Sequence, residues 1–111
     1  MTSLELAKKI ANIFDDMKGQ DIKILKIEEI SSIGDYFVLA TGNSTTQVSA
    51  LADRAEFKVK EDGTMPNRVE GSRGSGWILI DYGSVIVHVF TPESREFYDL
   101  DRLWQDAEVV E

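Results

Sequence analysis

At 111 residues one domain with a single core is expected, and the absence of cysteine removes disulfides, thiolate catalysis and cysteine-based metal sites. No apolar run nears the roughly 20 residues of a membrane span, and the opening MTSLELAKKIANIF lacks a basic stretch ahead of an apolar block, so no secretory signal is expected and the cytoplasm is the expected location. Residues 1–60 carry eight basic and nine acidic side chains (−1), whereas residues 61–111 carry four and eleven (−7); such a field repels phosphate backbones, arguing against direct nucleic-acid affinity, and draws a basic partner to the C-terminal half unless it serves solubility alone.

Thr2 with Glu5 forms a capping box that opens a first helix. Leu6, Ile10, Ile13, Phe14 and Met17 then recur at helical spacing, and Gly19 suits a stop. In DIKILKIEEI (21–30), Ile22 and Ile24 alternate with charged residues as in a half-exposed strand, with a slip in phase near Leu25 that suggests a bulge. DYFVLATG (35–42) is a continuous apolar run bounded by Gly34 and Gly42, the pattern of a central strand covered on both faces. Ser44 with Gln47 opens a second helix carrying Val48, Leu51, Ala52, Ala55 and Val59 on one stripe, and this strand–helix unit predicts a right-handed crossover onto a neighbouring strand.

An extended piece around Arg68–Glu70 leads into GSRGSG (71–76), read as a flexible connection, and then into WILIDYGSVIVHVF (77–90). There, two apolar runs meet at Gly83-Ser84, a strong hairpin signal. The turn sets Tyr82 opposite Val85, Ile80 opposite Val87 and Ile78 opposite Val89 on one apolar face. Trp77, Leu79 and Asp81 stand against Phe90, His88 and Ile86 on the other, mixed face. Thr91 and Pro92 start a last helix whose apolar stripe is Phe97, Leu100, Leu103 and Trp104. The expected class is α+β, a mixed sheet of about five strands flanked by helices.

Several constellations carry possible chemistry. GSRGSG precedes a strand and lacks the Gly-Lys-Ser/Thr of a phosphate loop. TGNS (41–44) does lie between a strand and a helix, where amides can hold an anion. Nucleotidyltransferases use such a turn with paired carboxylates on a strand, but the Asp-x-Asp here, Asp99-Leu100-Asp101, falls on the last helix, where its side chains diverge. A metal-dependent nucleotidyltransferase-like enzyme would have to use a scattered pair such as Asp35 and Asp81. Asp81 is the diagonal neighbour of His88, close enough to orient its imidazole. A lone strand histidine without metal-ligand companions is more simply a structural or interface residue, and no metal or other cofactor is expected. Trp77, Leu79, Ile86 and Phe90 either pack beneath the last helix or anchor a partner.

Taken together, KGQDI (18–22), DYFVLATGNS (35–44), VEG (69–71), GWILIDYGSVIVHVF (76–90), PESREFYDL (92–100) and LW (103–104) closely resemble the ribosomal silencing factor family, also called RsfS or Iojap. The resemblance runs from the first helix to about Ala107, in family order and spacing, so a single domain over 1–107 and a tail over 108–111 are expected. Ser84 departs from the acidic residue usual there. The resemblance implies a nucleotidyltransferase-like fold without catalytic carboxylates, and a non-enzymatic factor on the large ribosomal subunit. It further implies contact with ribosomal protein L fourteen, a block on subunit joining, translational repression in nutrient shortage and, in organelle relatives, a role in large-subunit assembly. The expected contact surface is Trp77, Leu79, Asp81, Tyr82 and His88, with Glu70 and Arg73 at its rim. Tyr82 is included on the expectation that its hydroxyl reaches the ribbon edge. A free homodimer hiding the same surface is a further expectation.

Overall fold

The computed structural model describes residues 1–71 and 74–110. Thr2 and Glu5 form the capping box reciprocally, Glu5 N–H donating to Thr2 Oγ1 and Thr2 N–H to Glu5 Oε1, and start α1 (Ser3–Asp16). Leu6, Ile10 and Phe14 bury its inner stripe, and the chain turns at Lys18, where φ is positive, as Gly19 N–H donates to Phe14 O. Ser44 Oγ accepts from Gln47 N–H at the head of α2 (Thr45–Glu61). Gln47 Oε1 accepts from Asn43 N–H, one residue before the cap, and Val48, Leu51, Ala52, Ala55 and Val59 face inward.

These helices cover one side of a six-stranded sheet in the order β3-β4-β5-β2-β1-β6. The strands are β1 (Gln20–Lys26), β2 (Tyr36–Thr41), β3 (Arg68–Glu70), β4 (Trp77–Asp81), β5 (Val85–Phe90) and β6 (Glu108–Val110). The class is the expected mixed α+β, with a parallel β2–β5 pair and antiparallel pairs elsewhere. β2 is central and covered on both faces: Val38 and Ala40 join the α1–α2 core, while Phe37 and Leu39 join a smaller cluster with Leu25, Ile27 and Phe90.

The structure corrects three expectations. The strand after α2 is not a neighbour of β2; β3 forms the far edge, with β4 and β5 between. The register shift in β1 lies between Gln20 and Lys23, where Asp21 has φ +48°. At Leu25 there is no bulge: Ile24 and Leu25 enter the two opposite cores, which is why the alternation breaks there. Glu108–Val110, expected as tail, form β6 on β1, which brings the expected sheet of about five strands to six. Their signal lies in backbone pairing, which side-chain alternation over so short a segment does not reveal.

The last helix is also divided. α3 (Pro92–Tyr98) and α4 (Leu100–Leu103) meet at Asp99 in the left-handed conformation (φ 51°, ψ 49°). Of the expected stripe, Leu100 and Trp104 pack on the smaller core, whereas Phe97 and Leu103 stand 80% and 70% exposed. Arg95 clasps the break: its guanidinium donates to both Asp101 carboxylate oxygens at 3.0 Å, to Thr41 Oγ1 at 2.9 Å and to Asp21 O at 2.6 Å. Asp101 is thereby held down at about 2, chiefly by its Arg95 bonds and further by Lys23.

Candidate docking site

The Gly83-Ser84 hairpin has the expected register, Trp77 opposite Phe90, Leu79 opposite His88 and Asp81 opposite Ile86. Gly83 supplies φ +87°, and Tyr82 N–H donates to Val85 O across the turn. Ile78, Ile80, Val85, Val87 and Val89 enter the α1–α2 core. On the opposite face Leu100, Trp104, Ala107 and Ile27 pack with Phe37, Leu39 and Phe90, and Glu70, Gly71, Trp77 and Leu79 line a shallow groove of about 240 Å³.

Trp77 is half-buried, at the meeting point of strand, loop and helix. Tyr98 of α3 packs on its indole with ring centroids 4.4 Å apart, and Phe90 stacks at 5.3 Å. The indole Nε1–H donates to Nδ1 of His88 at 3.1 Å. Ser75 Oγ donates to Trp77 O, Gly76 O accepts from Thr91 N–H, and Gly71 lies so near Trp77 O that a Cβ would come within 2.4 Å. The described ends of the glycine-rich connection are therefore fixed against the ribbon. Trp77 is thus neither sealed under α3 nor fully free: one side packs, and another lines the groove.

His88 does not lie on the surface. It is 4% exposed, packed against Phe37 at 4.8 Å and Phe90 at 5.9 Å, and burial pushes its pKa down to about 4. Its partner is the indole and not Asp81, whose Oδ1 accepts from Gly83 N–H at 2.7 Å and whose Oδ2 lies 3.3 Å from Arg68 Nε. The carboxylate that could have oriented the imidazole is engaged by the turn amide and Arg68, and the imidazole pairs with the indole, in keeping with a structural or interface histidine.

Tyr82 is corrected in the same way. Its ring packs on the α1–α2 core, and its hydroxyl is buried without a hydrogen-bond partner among the described residues. Burial, with the Glu56 charge adding to it, pushes that hydroxyl up to about 12. It does not reach the ribbon edge. Trp77, Leu79 and Glu70 meet at the groove, Asp81 lies on the same face half-buried, and Arg73 falls outside the described residues.

Sequence reasoning missed Arg68, which joins Glu70 (3.5 Å) to Asp81 along the β3 edge, and the aromatic pair on α3. Phe97 and Tyr98 touch edge-to-face at 5.1 Å, so a line of rings runs from exposed Phe97 through Tyr98 and Trp77 to Phe90. Adjacent helical residues point about 100° apart, so Phe97 and Tyr98 cannot both face one sheet; that adjacency was the available signal.

At the TGNS turn the side chains of Ser44 and Gln47 engage the amides of Gln47 and Asn43. Among the described residues no group of three or more His, Asp or Glu is placed to hold a metal ion, and no helix is long and apolar enough to cross a membrane.

The family model described as "Ribosomal silencing factor during starvation" matches residues 1–111. A ribosomal silencing factor RsfS of Halalkalibacterium halodurans is 40% identical over 111 residues, covering 100% of this chain and 95% of the relative. A mouse protein named mitochondrial assembly of ribosomal large subunit protein 1 is 27% identical over 100 residues, which span 86% of this chain and 43% of that protein. A crystal structure of a Chromobacterium violaceum protein superposes with a TM-score of 0.90 at 37% identity, covering 95% of this chain and 88% of the other.

Proposed function

Because this chain belongs to the ribosomal silencing factor family, we propose that it binds the large ribosomal subunit in the cytoplasm through ribosomal protein L fourteen and keeps the small subunit from joining, which represses translation. The observation that carries this reading is the Trp77 groove. A half-buried indole with Leu79 beside it and the Glu70 carboxylate at the rim combines an aromatic anchor with a polar edge, the composition of a protein-binding patch. The balance of −7 over residues 61–111 favours encounter with such a partner and disfavours bare rRNA.

Steric occlusion needs no chemical step, so potency follows affinity and copy number. A non-catalytic role is supported at the TGNS turn, where Ser44 and Gln47 occupy amides that an anion would need, and at Asp81, which is engaged by the turn amide and Arg68. A part in large-subunit assembly rests on the name of the mouse relative. Pairing of free copies would use the same ring line, since Phe97 and Tyr98 are exposed.

The test is co-sedimentation of the purified chain with large subunits, followed by a subunit-joining assay. Binding with a lowered yield of joined ribosomes is expected. Normal joining at saturating protein would overturn the occlusion mechanism, and chemical cross-linking to a protein other than L fourteen would overturn the contact.

A further inference from the structure

We propose that His88 is the positioning residue of the docking groove, holding the Trp77 indole in the orientation a partner meets. The inference rests on the reading of Trp77 as a contact residue. An indole N–H can only donate, so the 3.1 Å bond from Trp77 Nε1 makes Nδ1 of His88 the acceptor and places the imidazole proton on Nε2. Nε2 is buried and has no hydrogen-bond partner among the described residues. The rings packed on the imidazole, Phe37 and Phe90, offer at most a weak contact to a ring face.

As a packing group alone, then, the histidine is a poor choice, because its Nε2–H is desolvated without a partner among the described residues. What histidine supplies and a phenyl ring cannot is the acceptor at Nδ1. The other contacts of the indole, with Tyr98 and Phe90, are ring packing and constrain its rotation less sharply than a hydrogen bond does. Burial also keeps the imidazole neutral, so the acceptor persists at neutral pH. A pre-set indole saves the partner the ordering of a large side chain on binding.

Three measurements test this on the full chain. Nitrogen NMR of the wild-type protein is expected to find Nδ1 unprotonated and Nε2 protonated; the opposite tautomer would overturn the proposal without any variant. Second, His88→Phe is expected to fold, to lose hydrogen-exchange protection at the Trp77 indole N–H, and to bind large subunits roughly fivefold to tenfold more weakly per folded molecule. Third, His88→Asn, which places an amide oxygen close to where Nδ1 stands, is expected to restore indole protection and most of the affinity although its smaller side chain lowers stability. Wild-type affinity for His88→Phe, or loss of stability and affinity together with the indole still protected, would make His88 a packing residue and overturn the proposal. Trp77→Ala separates the two levels. If it binds normally, the docking reading fails; if it binds weakly while His88→Phe binds normally, only the positioning role fails.

Discussion

On one side of the β4–β5 ribbon, Ile80, Val85, Val87 and Val89 are fully buried beneath helices of 14 and 17 residues. On the other, helices of seven and four residues leave Trp77, Leu79 and Ile86 half-covered. The difference teaches how one hairpin serves two ends. The long helices have capped N-termini and continuous apolar stripes, so their face specifies the fold. The short ones are divided at Asp99 and cannot span the sheet, so their face keeps aromatic area available while holding it in place through Tyr98 and His88.

The sharpest way to break this division is to truncate the closed face. Ile80→Ala is expected to cost about 2–5 kcal/mol of folding stability in chemical denaturation, with unchanged large-subunit affinity per folded molecule. A fall in that affinity would show the two faces to be coupled.

Next in size is a pH effect from the open face. The pKa of His88 is depressed from 6.5 to about 4 in the folded chain, so between those values the unfolded chain binds more protons. The stability contribution of a neutral His88 is therefore complete above pH 6.5 and declines as pH falls toward 4, by an amount on the order of 3 kcal/mol. Denaturation of wild type and His88→Phe over this window checks it, the slope flattening in the variant.

Trp77→Ala is expected to weaken binding to large subunits by more than about 1 kcal/mol, read by co-sedimentation with folding checked separately. The smallest effect is reserved for Phe97→Ser, expected to change stability by no more than about 0.5 kcal/mol because its side chain has left the core. A loss of several kcal/mol, measured by thermal or chemical unfolding, would return Phe97 to the buried stripe that periodicity assigns it.

Much of the closed face was legible in the sequence because its determinants are local. Thr2 with Glu5, Ser44 with Gln47, and Gly83 at a tight turn each act within a few residues, and the hairpin register follows from the turn. The open face was less legible because distant partners decide it. The stop at Asp99 is held by Arg95 reaching Thr41 and the backbone of Asp21, β6 depends on pairing with β1, and the partner of His88 depends on which neighbouring group is left free to meet it. The sequence placed only Asp81 beside the imidazole as a partner; in the fold the turn amide engages that carboxylate and the indole meets His88.

The two outer strands carry one more consequence. β3 and β6 are each three residues long, and their charged residues are Arg68 and Glu70 on one and Glu108 on the other. Such short, charged margins make poor templates for stacking one sheet onto the next. Under the proposed occlusion of large subunits one copy would be needed per ribosome, and margins of this kind would protect so crowded a population from aggregating through its sheets.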